Sequence, residues 1–208
     1  MKNYDAIVIG TSAGGMDALS VVIPALPKNF SLPVIVVQHL DPNSELYLCQ
    51  ILKRLSQINI EEACEKQKIN SGNVYLAPPN YHLLLEENKT FSLSFDEKVQ
   101  WSRPSIDVLF ESAAEVYQNK LIGVLLTGAN SDGSAGLKVI KEYGGLVVVQ
   151  DPSTASAPYM PQAAINSVSV DHILELNEVA PFLSRFHTNN SPREIELTQL
   201  KDLSTEKK

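Results

Sequence analysis

Cysteines, basic clusters and long apolar runs are all scarce in this chain of 208 residues. The only two cysteines, Cys49 and Cys64, lack the spacing of a metal site or redox pair, and we expect both to be buried in a reduced cytoplasm. No apolar run reaches the length of a membrane span, and no signal peptide is evident, so we expect a cytoplasmic protein without membrane insertion. The formal net charge is −7 with no Lys/Arg cluster, which argues against nucleic acid as a partner.

The chain alternates between short apolar runs and stretches with helical periodicity. Runs rich in β-branched residues that are apolar on both faces are typical of buried parallel strands. The amphipathic stretches between them predict helices that cross over from one parallel strand to the next. The clearest of these strand-like runs are 6–9, 34–37, 121–126 and 146–149.

The middle of the chain interrupts this alternation. Segments 82–85 and 90–95 flank a polar turn, which is typical of an antiparallel hairpin. Further on, we expect a loop over 152–161 followed by a short helix. The sequence therefore predicts an α/β fold: a doubly wound, mostly parallel sheet with helices on both faces and an inserted antiparallel hairpin. We expect one catalytic domain over residues 1–187 and a polar C-terminal tail over 188–208.

A glycine-rich turn follows the first apolar run. The segment 10–14, Gly-Thr-Ser-Ala-Gly, fits the G-x-S-x-G pattern that exposes a serine between a strand and a helix. The N–H groups at the start of that helix favour negative charge beside the serine. A phosphate- or dinucleotide-binding turn is the alternative, although G-x-G-x-x-G is not matched because Ser12 takes the place of the second glycine. This stretch alone leaves both interpretations open.

Three predicted strands are followed by reactive side chains: Ser12, His39 and Asp132. Ligands of open parallel sheets bind beyond the carboxyl ends of the strands. A serine nucleophile, a histidine base and a carboxylate that orients the histidine are the groups that acyl transfer needs. Each also has a structural explanation: Ser12 or Asp132 could cap a helix, and His39 could bond a carbonyl. Their occurrence together at three strand ends favours a catalytic triad.

The other histidines, His82, His172 and His187, occur within a hairpin, within a strand and after the last helix, so we expect structural roles for them. No H-x-x-x-H or C-x-x-C pattern is present. The sequence therefore predicts no metal site.

Taken together, these segments resemble the catalytic domain of the chemotaxis protein-glutamate methylesterases, the CheB type. The similarity extends in order from residue 4 to about residue 186. The matching segments are IGTSAGG (9–15), VQH (37–39), YLAPPNYHL (75–83), RPSID (103–107), LTGANSDG (126–133), QDP (150–152) and MPQAA (160–164).

This resemblance implies a Ser12–His39–Asp132 triad that works without a cofactor, with the backbone N–H of Ala129 holding the oxyanion. It also implies the substrate, which is the glutamate γ-methyl esters on the cytoplasmic domains of methylated chemoreceptors, with glutamine deamidation as a second activity. The sequence departs from many family members at Ala13, where they have threonine, and at Ala129, where they have methionine. Because no receiver domain precedes the first strand, we expect regulation, if any, to come from a separate receiver protein.

Two other functions are alternatives to a methylesterase. A patatin-like acyl hydrolase with a Ser–Asp pair also combines G-x-S-x-G with an Asp-Gly, here Asp132-Gly133. It needs a glycine-rich oxyanion loop before the serine turn, and only nine residues precede Gly10. A non-catalytic nucleotide- or phosphate-binding module would favour an acidic residue at the end of the second strand, where His39 stands.

Overall fold

Nine strands and six α-helices form the part of the chain that the structure, a computed structural model, describes: residues 3–39 and 45–187. The predicted tail, 188–208, lies outside the described residues. The strands are β1 (Ala6–Thr11), β2 (Val34–Gln38), β3 (Asn59–Glu62), β4 (Asn73–Leu76), β5 (His82–Leu85), β6 (Phe91–Ser94), β7 (Leu121–Leu125), β8 (Leu146–Gln150) and β9 (His172–Leu174). The helices are α1 (Gly15–Val22), α2 (Glu45–Leu55), α3 (Ile106–Tyr117), α4 (Ser134–Glu142), α5 (Tyr159–Ser167) and α6 (Leu176–Ser184).

Seven strands form one parallel sheet in the order β3-β4-β2-β1-β7-β8-β9. From the central strand β1 the chain first builds outward through β2, and it later returns to the other side of β1 with β7. This reversal is the topological switch point, where open parallel sheets bind their ligands. The strands β5 and β6 pair antiparallel in a separate hairpin. The predicted fold class is confirmed, including the inserted hairpin.

Helices cover both faces of the sheet. On one face, α1, α2 and α6 pack over the sheet, with buried side chains that include Leu19, Leu52 and Leu183. On the other face, α3, α4, α5 and the hairpin form a second core around residues such as Phe110 and Ile140. The central strands β1, β2 and β7 are buried along their whole length, which explains why their sequences are apolar on both faces.

Two local predictions are wrong. The segment 152–161 is not all loop, because a short 3₁₀ turn covers Pro152–Thr154 and α5 already begins at Tyr159. Pro161 does not prevent this start, because it lies in the first turn of α5, where a backbone N–H has no partner within the helix. Cys64 is exposed and Cys49 is half-buried, so the cysteines are not both core residues. Over residues 3–39 and 45–187, none of the helices combines the length and apolar character that crossing a membrane requires.

Candidate active site

The three strand-end residues come together at the carboxyl edge of the sheet. Ser12 and His39 directly follow Thr11 and Gln38, which are paired in register on the neighbouring strands β1 and β2. The His39 N–H donates to the Thr11 carbonyl at 3.0 Å. Asp132 lies in the loop after β7, and β7 is the neighbour of β1 on the other side. The topology thus brings a hydroxyl, an imidazole and a carboxylate to the switch point.

A direct hydrogen bond joins His39 to Asp132. The distance from Nε2 of His39 to Oδ2 of Asp132 is 2.8 Å, with the Asp132 side chain fully buried and the His39 side chain 11% exposed. An ionised carboxylate can only accept, so Nε2 carries the hydrogen and Nδ1 keeps its lone pair. Nδ1 is therefore the nitrogen that can act as a base.

Asp132 is held by the start of α3 rather than by its own helix. Its carboxylate accepts from the Ser105 hydroxyl at 3.0 Å and from the N–H groups of Ile106 at 2.8 Å and Asp107 at 2.9 Å. The helix that follows Asp132, α4, has Gly133 as its N-cap and no side-chain cap, so Asp132 does not cap that helix.

These contacts decide the charge of Asp132. Burial by itself raises the pKa of this carboxyl, but the hydrogen bonds from the His39 ring and from the Asp107 and Ile106 N–H groups outweigh it. The net effect holds the pKa of Asp132 below its usual value. The positive end of the α3 dipole acts in the same direction. Asp132 is thus an ionised partner for the imidazole at neutral pH.

The turn around Ser12 owes its shape to glycine. Gly14 has φ +77° and forms the N-cap of α1, which has no side-chain cap, so Ser12 is not a helix-capping residue. A Cβ at Gly15 would lie 1.8 Å from Oε1 of Gln38, so this position admits only glycine while Gln38 stays in place. Within the described residues, the His39 ring bonds Asp132 and Ser102 but not the Ser12 hydroxyl. Catalytic hydrogen bonds are often long in structures without substrate.

Gln38 connects the nucleophile candidate to the base candidate. Its side-chain Nε2 donates to the carbonyl of Ser12 at 2.8 Å and to the carbonyl of His39 at 2.7 Å. One amide group thereby fixes the spacing of two adjacent strand ends. No role was predicted for Gln38 beyond its place in the segment 37–39, although a glutamine at the end of a fully buried apolar strand is a signal for such a bridging role.

Thr127 connects the serine turn to the loop after β7. Its carbonyl accepts from the Ser12 N–H at 2.9 Å and from the Thr11 hydroxyl at 3.0 Å. Its own hydroxyl donates to the Ala13 carbonyl at 2.9 Å and accepts from the Ala157 N–H at 2.8 Å. Three of these bonds hold the serine turn against the loop after β7, and the fourth ties that loop to the segment before α5.

Backbone donors are available beside this junction. Within the described residues, no group accepts a hydrogen bond from the N–H of Ala129 or of Ala13. Gly128, by contrast, is fixed by its N–H to the Ala157 carbonyl at 3.0 Å and by its carbonyl to the Met160 N–H at 2.9 Å. The oxyanion role of the Ala129 N–H stays a prediction, and the N–H of Ala13, the residue after the serine, is a second candidate.

Ser102 forms a hydrogen bond with Nδ1, the candidate base nitrogen of His39. Its hydroxyl lies 3.3 Å from Nδ1 of His39. Because Nε2 donates to Asp132, this hydroxyl donates to Nδ1. Nothing in the sequence relates Ser102 to His39, 63 residues earlier, so this contact was not predicted.

Asp107 is a second buried carboxyl close to Asp132. Its oxygens accept from the Gly136 N–H at 2.7 Å and from the Gln100 side chain at 2.9 Å. Burial and then the negative charge of Asp132 raise the pKa of Asp107 to about 7, although the bond from Gly136 opposes the shift. Asp107 belongs to the RPSID segment, but no role was predicted for it from the sequence.

Within the described residues, none of the remaining histidines bonds Ser12, His39 or Asp132 directly. His82 is buried, accepts from the Ser105 N–H at 3.1 Å and contacts the Glu97 carbonyl at 3.0 Å, so it fixes the loop before α3. The His187 ring accepts from the Ser31 N–H at 3.0 Å. Across residues 3–39 and 45–187, no three His, Cys, Asp or Glu side chains are grouped as metal ligands.

Comparison with known proteins adds independent findings. Residues 7–183 match a family model described as CheB methylesterase. A protein of Leptospira interrogans, provisionally named protein-glutamate methylesterase/protein-glutamine glutaminase, is 57% identical over 188 residues, which cover 90% of this chain and 97% of that protein. The protein-glutamate methylesterase/protein-glutamine glutaminase of Thermotoga maritima is 37% identical over 171 residues, and the match spans 81% of this chain but half the length of that relative.

A solved structure agrees with these sequence matches. The crystal structure of the Thermotoga maritima CheB methylesterase catalytic domain superimposes with a TM-score of 0.85 at 35% identity. The match covers 88% of this chain and 99% of the crystallised domain. The family model, which spans residues 7–183, includes all the strand ends that carry the candidate site.

Proposed function

The chain belongs to the CheB methylesterase family, and from that premise we propose that it hydrolyses glutamate γ-methyl esters on the cytoplasmic domains of methylated chemoreceptors. The observation that carries the proposal is the 2.8 Å hydrogen bond between His39 and Asp132 beside the strand end that bears Ser12. A neutral imidazole that is oriented by a buried carboxylate is the base that a serine nucleophile requires.

In the proposed acylation step, Nδ1 of His39 takes the proton of the Ser12 hydroxyl as Oγ attacks the ester carbonyl carbon. The carbonyl oxygen becomes an oxyanion, which the N–H of Ala129 stabilises with the N–H of Ala13 as second donor. Asp132 stabilises the imidazolium that forms. When the intermediate collapses, the C–O bond to the methoxy group breaks, and His39 returns its proton so that methanol leaves.

Deacylation repeats the sequence with water. His39 takes a proton from the water as its oxygen attacks the glutamyl ester of Ser12. When this second intermediate collapses, the proton returns to Oγ and the γ-carboxylic acid leaves, which then ionises by losing its proton to solvent. A glutamine side chain would give the same acyl-enzyme with ammonia as the leaving group. The glutaminase activity in the names of the relatives fits this shared intermediate, and we propose it for this protein as a second activity.

The geometry favours this mechanism over a Ser–Asp hydrolase. In a Ser–Asp pair the carboxylate acts directly on the serine, but here all the oxygens of Asp132 are engaged by His39 and by the start of α3. Asp132 can therefore influence Ser12 only through the imidazole. Because the substrate lies on cytoplasmic receptor domains, we propose that the protein acts in the cytoplasm, with a separate receiver protein as its regulator.

Methanol release from a methyl-esterified fragment of a chemoreceptor cytoplasmic domain tests the proposal. We expect the wild-type protein to release methanol and Ser12→Ala to lose nearly all of this activity. The matched control is Ser71→Ala, which removes an exposed hydroxyl between β3 and β4, and we expect it to retain most of the activity. Full activity of Ser12→Ala would rule out the mechanism.

A further inference from the structure

The candidate site lies between two aromatic side chains that are exposed to water. Trp101, the single tryptophan of the chain, is 93% exposed, and Tyr159, the first residue of α5, is 62% exposed. Exposed apolar surface that borders a reactive site is a common mark of a protein-binding surface. Single exposed apolar side chains are common on proteins, and Phe95 and Leu55 are further examples here. What distinguishes Trp101 and Tyr159 is their position beside the candidate site.

A fixed turn holds Trp101 out in the solvent. Val99 and Ser102 exchange backbone hydrogen bonds of 3.2 and 2.9 Å, which closes a two-residue turn. Both central residues have positive φ, 46° at Gln100 and 66° at Trp101, a conformation that is costly for large side chains. The Gln100 amide anchors the turn by donating to Asp107 at 2.9 Å. Backbone strain that the surrounding structure maintains is concentrated at functional sites.

The two aromatic side chains lie on opposite sides of Ser12. Trp101 stands next to Ser102, whose hydroxyl contacts His39 at the end of β2. Tyr159 lies on the β8 side, where it lines an open groove together with Ala129, Ala157, Pro158 and Gln162. In the strand order β2-β1-β7-β8, the carboxyl ends of β2 and β8 are three strand spacings apart, or about 14 Å. An α-helix with its side chains is about 10–12 Å wide.

Charge gives a further clue to the occupant. The depression that joins His39 to Trp101 is lined by two cationic side chains, Lys98 and Arg103, and by none of the described carboxylates. This contrasts with the net charge of −7 for the whole chain. The surface around Lys98, Trp101 and Arg103 therefore complements a partner that has acidic side chains as well as apolar ones.

Building on the proposed function, we propose that Trp101 and Tyr159 dock an amphipathic, acidic α-helix of the protein substrate and thereby present its ester side chain to Ser12. Helices commonly bind by laying an apolar face between such anchors. Aromatic side chains of this kind contribute much of the binding energy at protein interfaces. Trp101 and Tyr159 would together make the enzyme selective for helical protein esters over small esters.

Because Trp101 is the only tryptophan, its fluorescence reports directly on docking. The Ser12→Ala variant is titrated with a tryptophan-free, methyl-esterified fragment of a chemoreceptor cytoplasmic domain. We expect the emission to shift to the blue and acrylamide quenching to weaken, with saturation near the KM of the wild-type protein. Unchanged emission and quenching at a saturating concentration of the fragment would overturn the proposal.

Kinetics separate docking from catalysis. We expect Trp101→Ala and Tyr159→Ala each to lower kcat/KM for the receptor fragment by about tenfold or more. For p-nitrophenyl acetate we expect a decrease of less than about threefold. The control Tyr143→Ala removes an exposed aromatic side chain at the end of α4, at the opposite edge of the sheet, and should leave the ratio of the two values unchanged.

Equal losses on both substrates would overturn the docking role, because they would mean that the aromatic residues support the catalytic site itself. An unchanged kcat/KM for the receptor fragment in both aromatic variants would also overturn it. A wild-type protein that hydrolyses neither ester would contradict the proposed function instead. The fluorescence titration needs no turnover, so it tests docking independently of that result.

Discussion

Four hydrogen bonds converge on the carboxylate of Asp132, from the His39 ring, the Ser105 hydroxyl and the N–H groups of Ile106 and Asp107. Together they use both oxygens fully. The same carboxylate thus satisfies the first turn of α3 and orients the imidazole. The sequence left a helix-capping role and a triad role as alternatives for Asp132. In the structure its carboxylate bonds the His39 ring and also the first turn of α3, a helix other than the one that follows it.

Asp132→Asn tests the triad role at the level of one atom. The amide replaces one acceptor oxygen with a donor, so either His39 loses its partner or the start of α3 does. We expect kcat to fall on the order of 10⁴-fold if the serine-protease precedent applies. The measurement is methanol release, with Asp5→Asn as a control, since Asp5 pairs with Lys120 on the surface. A loss of only a few-fold would reduce Asp132 to a structural cap.

Removing the Ser102 hydroxyl is expected to raise the activity, whereas Asp132→Asn is expected to lower it. This hydroxyl donates to the nitrogen that must accept the Ser12 proton, and a hydrogen bond of this kind has a net strength of about 1 kcal/mol. Breaking it is part of the cost of activation. We therefore expect Ser102→Ala to raise kcat/KM for a small ester by about two- to fivefold. A tenfold decrease would show that Ser102 orients the imidazole and does not compete for it.

At the scale of elements, two buried glutamines terminate parallel strands and tie loops together. Gln38, at the end of β2, donates to the carbonyls of Ser12 and His39. Gln150, at the end of β8, accepts from the Thr127 N–H at 2.9 Å and donates to the Thr154 carbonyl at 3.0 Å. Both side chains are nearly inaccessible to solvent. The sheet thereby fixes its catalytic edge through side chains as well as through strand pairing.

Gln38→Met keeps the length of the side chain and removes both hydrogen bonds. We expect kcat to fall by about 10- to 100-fold with little change in KM, because a displacement of about 1 Å between catalytic groups costs roughly this much. Steady-state kinetics on a small ester give the two constants separately. The control is Gln57→Met, an exposed glutamine between α2 and β3. An unchanged kcat would mean that the backbone alone holds Ser12 and His39 in place.

Sequence periodicity was sufficient to predict the sheet and the hairpin. It also predicted that Ser12, His39 and Asp132 lie close together, because parallel strands must place their carboxyl ends at one edge. It could not show which side chains would bridge that edge. The contact between Ser102 and His39 depends on a turn held by tertiary contacts. The pairing of Asp107 with Gln100 and Gly136 likewise joins segments that no local pattern relates. The exposure of Cys64 reflects its position just beyond a short edge strand.

For the whole molecule, the two neighbouring carboxyls act in opposite directions on stability. Burial and the charge of Asp132 raise the pKa of Asp107 to about 7 in the folded protein, against an ordinary value of 3.8. Between these two values the folded state keeps a proton that the unfolded chain has lost, so the contribution of Asp107 to stability falls as pH rises. Asp132, whose pKa is lowered, contributes stability that is lost when the pH falls through the acidic range.

Asp107→Asn isolates the first effect, because the amide does not ionise and keeps an oxygen for the Gly136 N–H. We expect the free energy of unfolding of the variant, relative to the wild type, to increase from pH 5 to pH 7. The slope should approach at most about 1.4 kcal/mol per pH unit. Urea denaturation at several pH values measures it. A difference that is independent of pH would mean that Asp107 is ionised throughout this range.

The central claim is that His39 activates Ser12 and no other hydroxyl. A fluorophosphonate probe, which labels only activated serines, tests this most directly when the labelled protein is digested and the modified peptide is identified by mass spectrometry. The structure supplies a real competitor, since the Ser102 hydroxyl lies 3.3 Å from Nδ1 of His39. We predict one label, on Ser12, which is absent from Ser12→Ala and strongly reduced in His39→Ala. A label on Ser102, or no label on the active wild-type protein, would contradict the account.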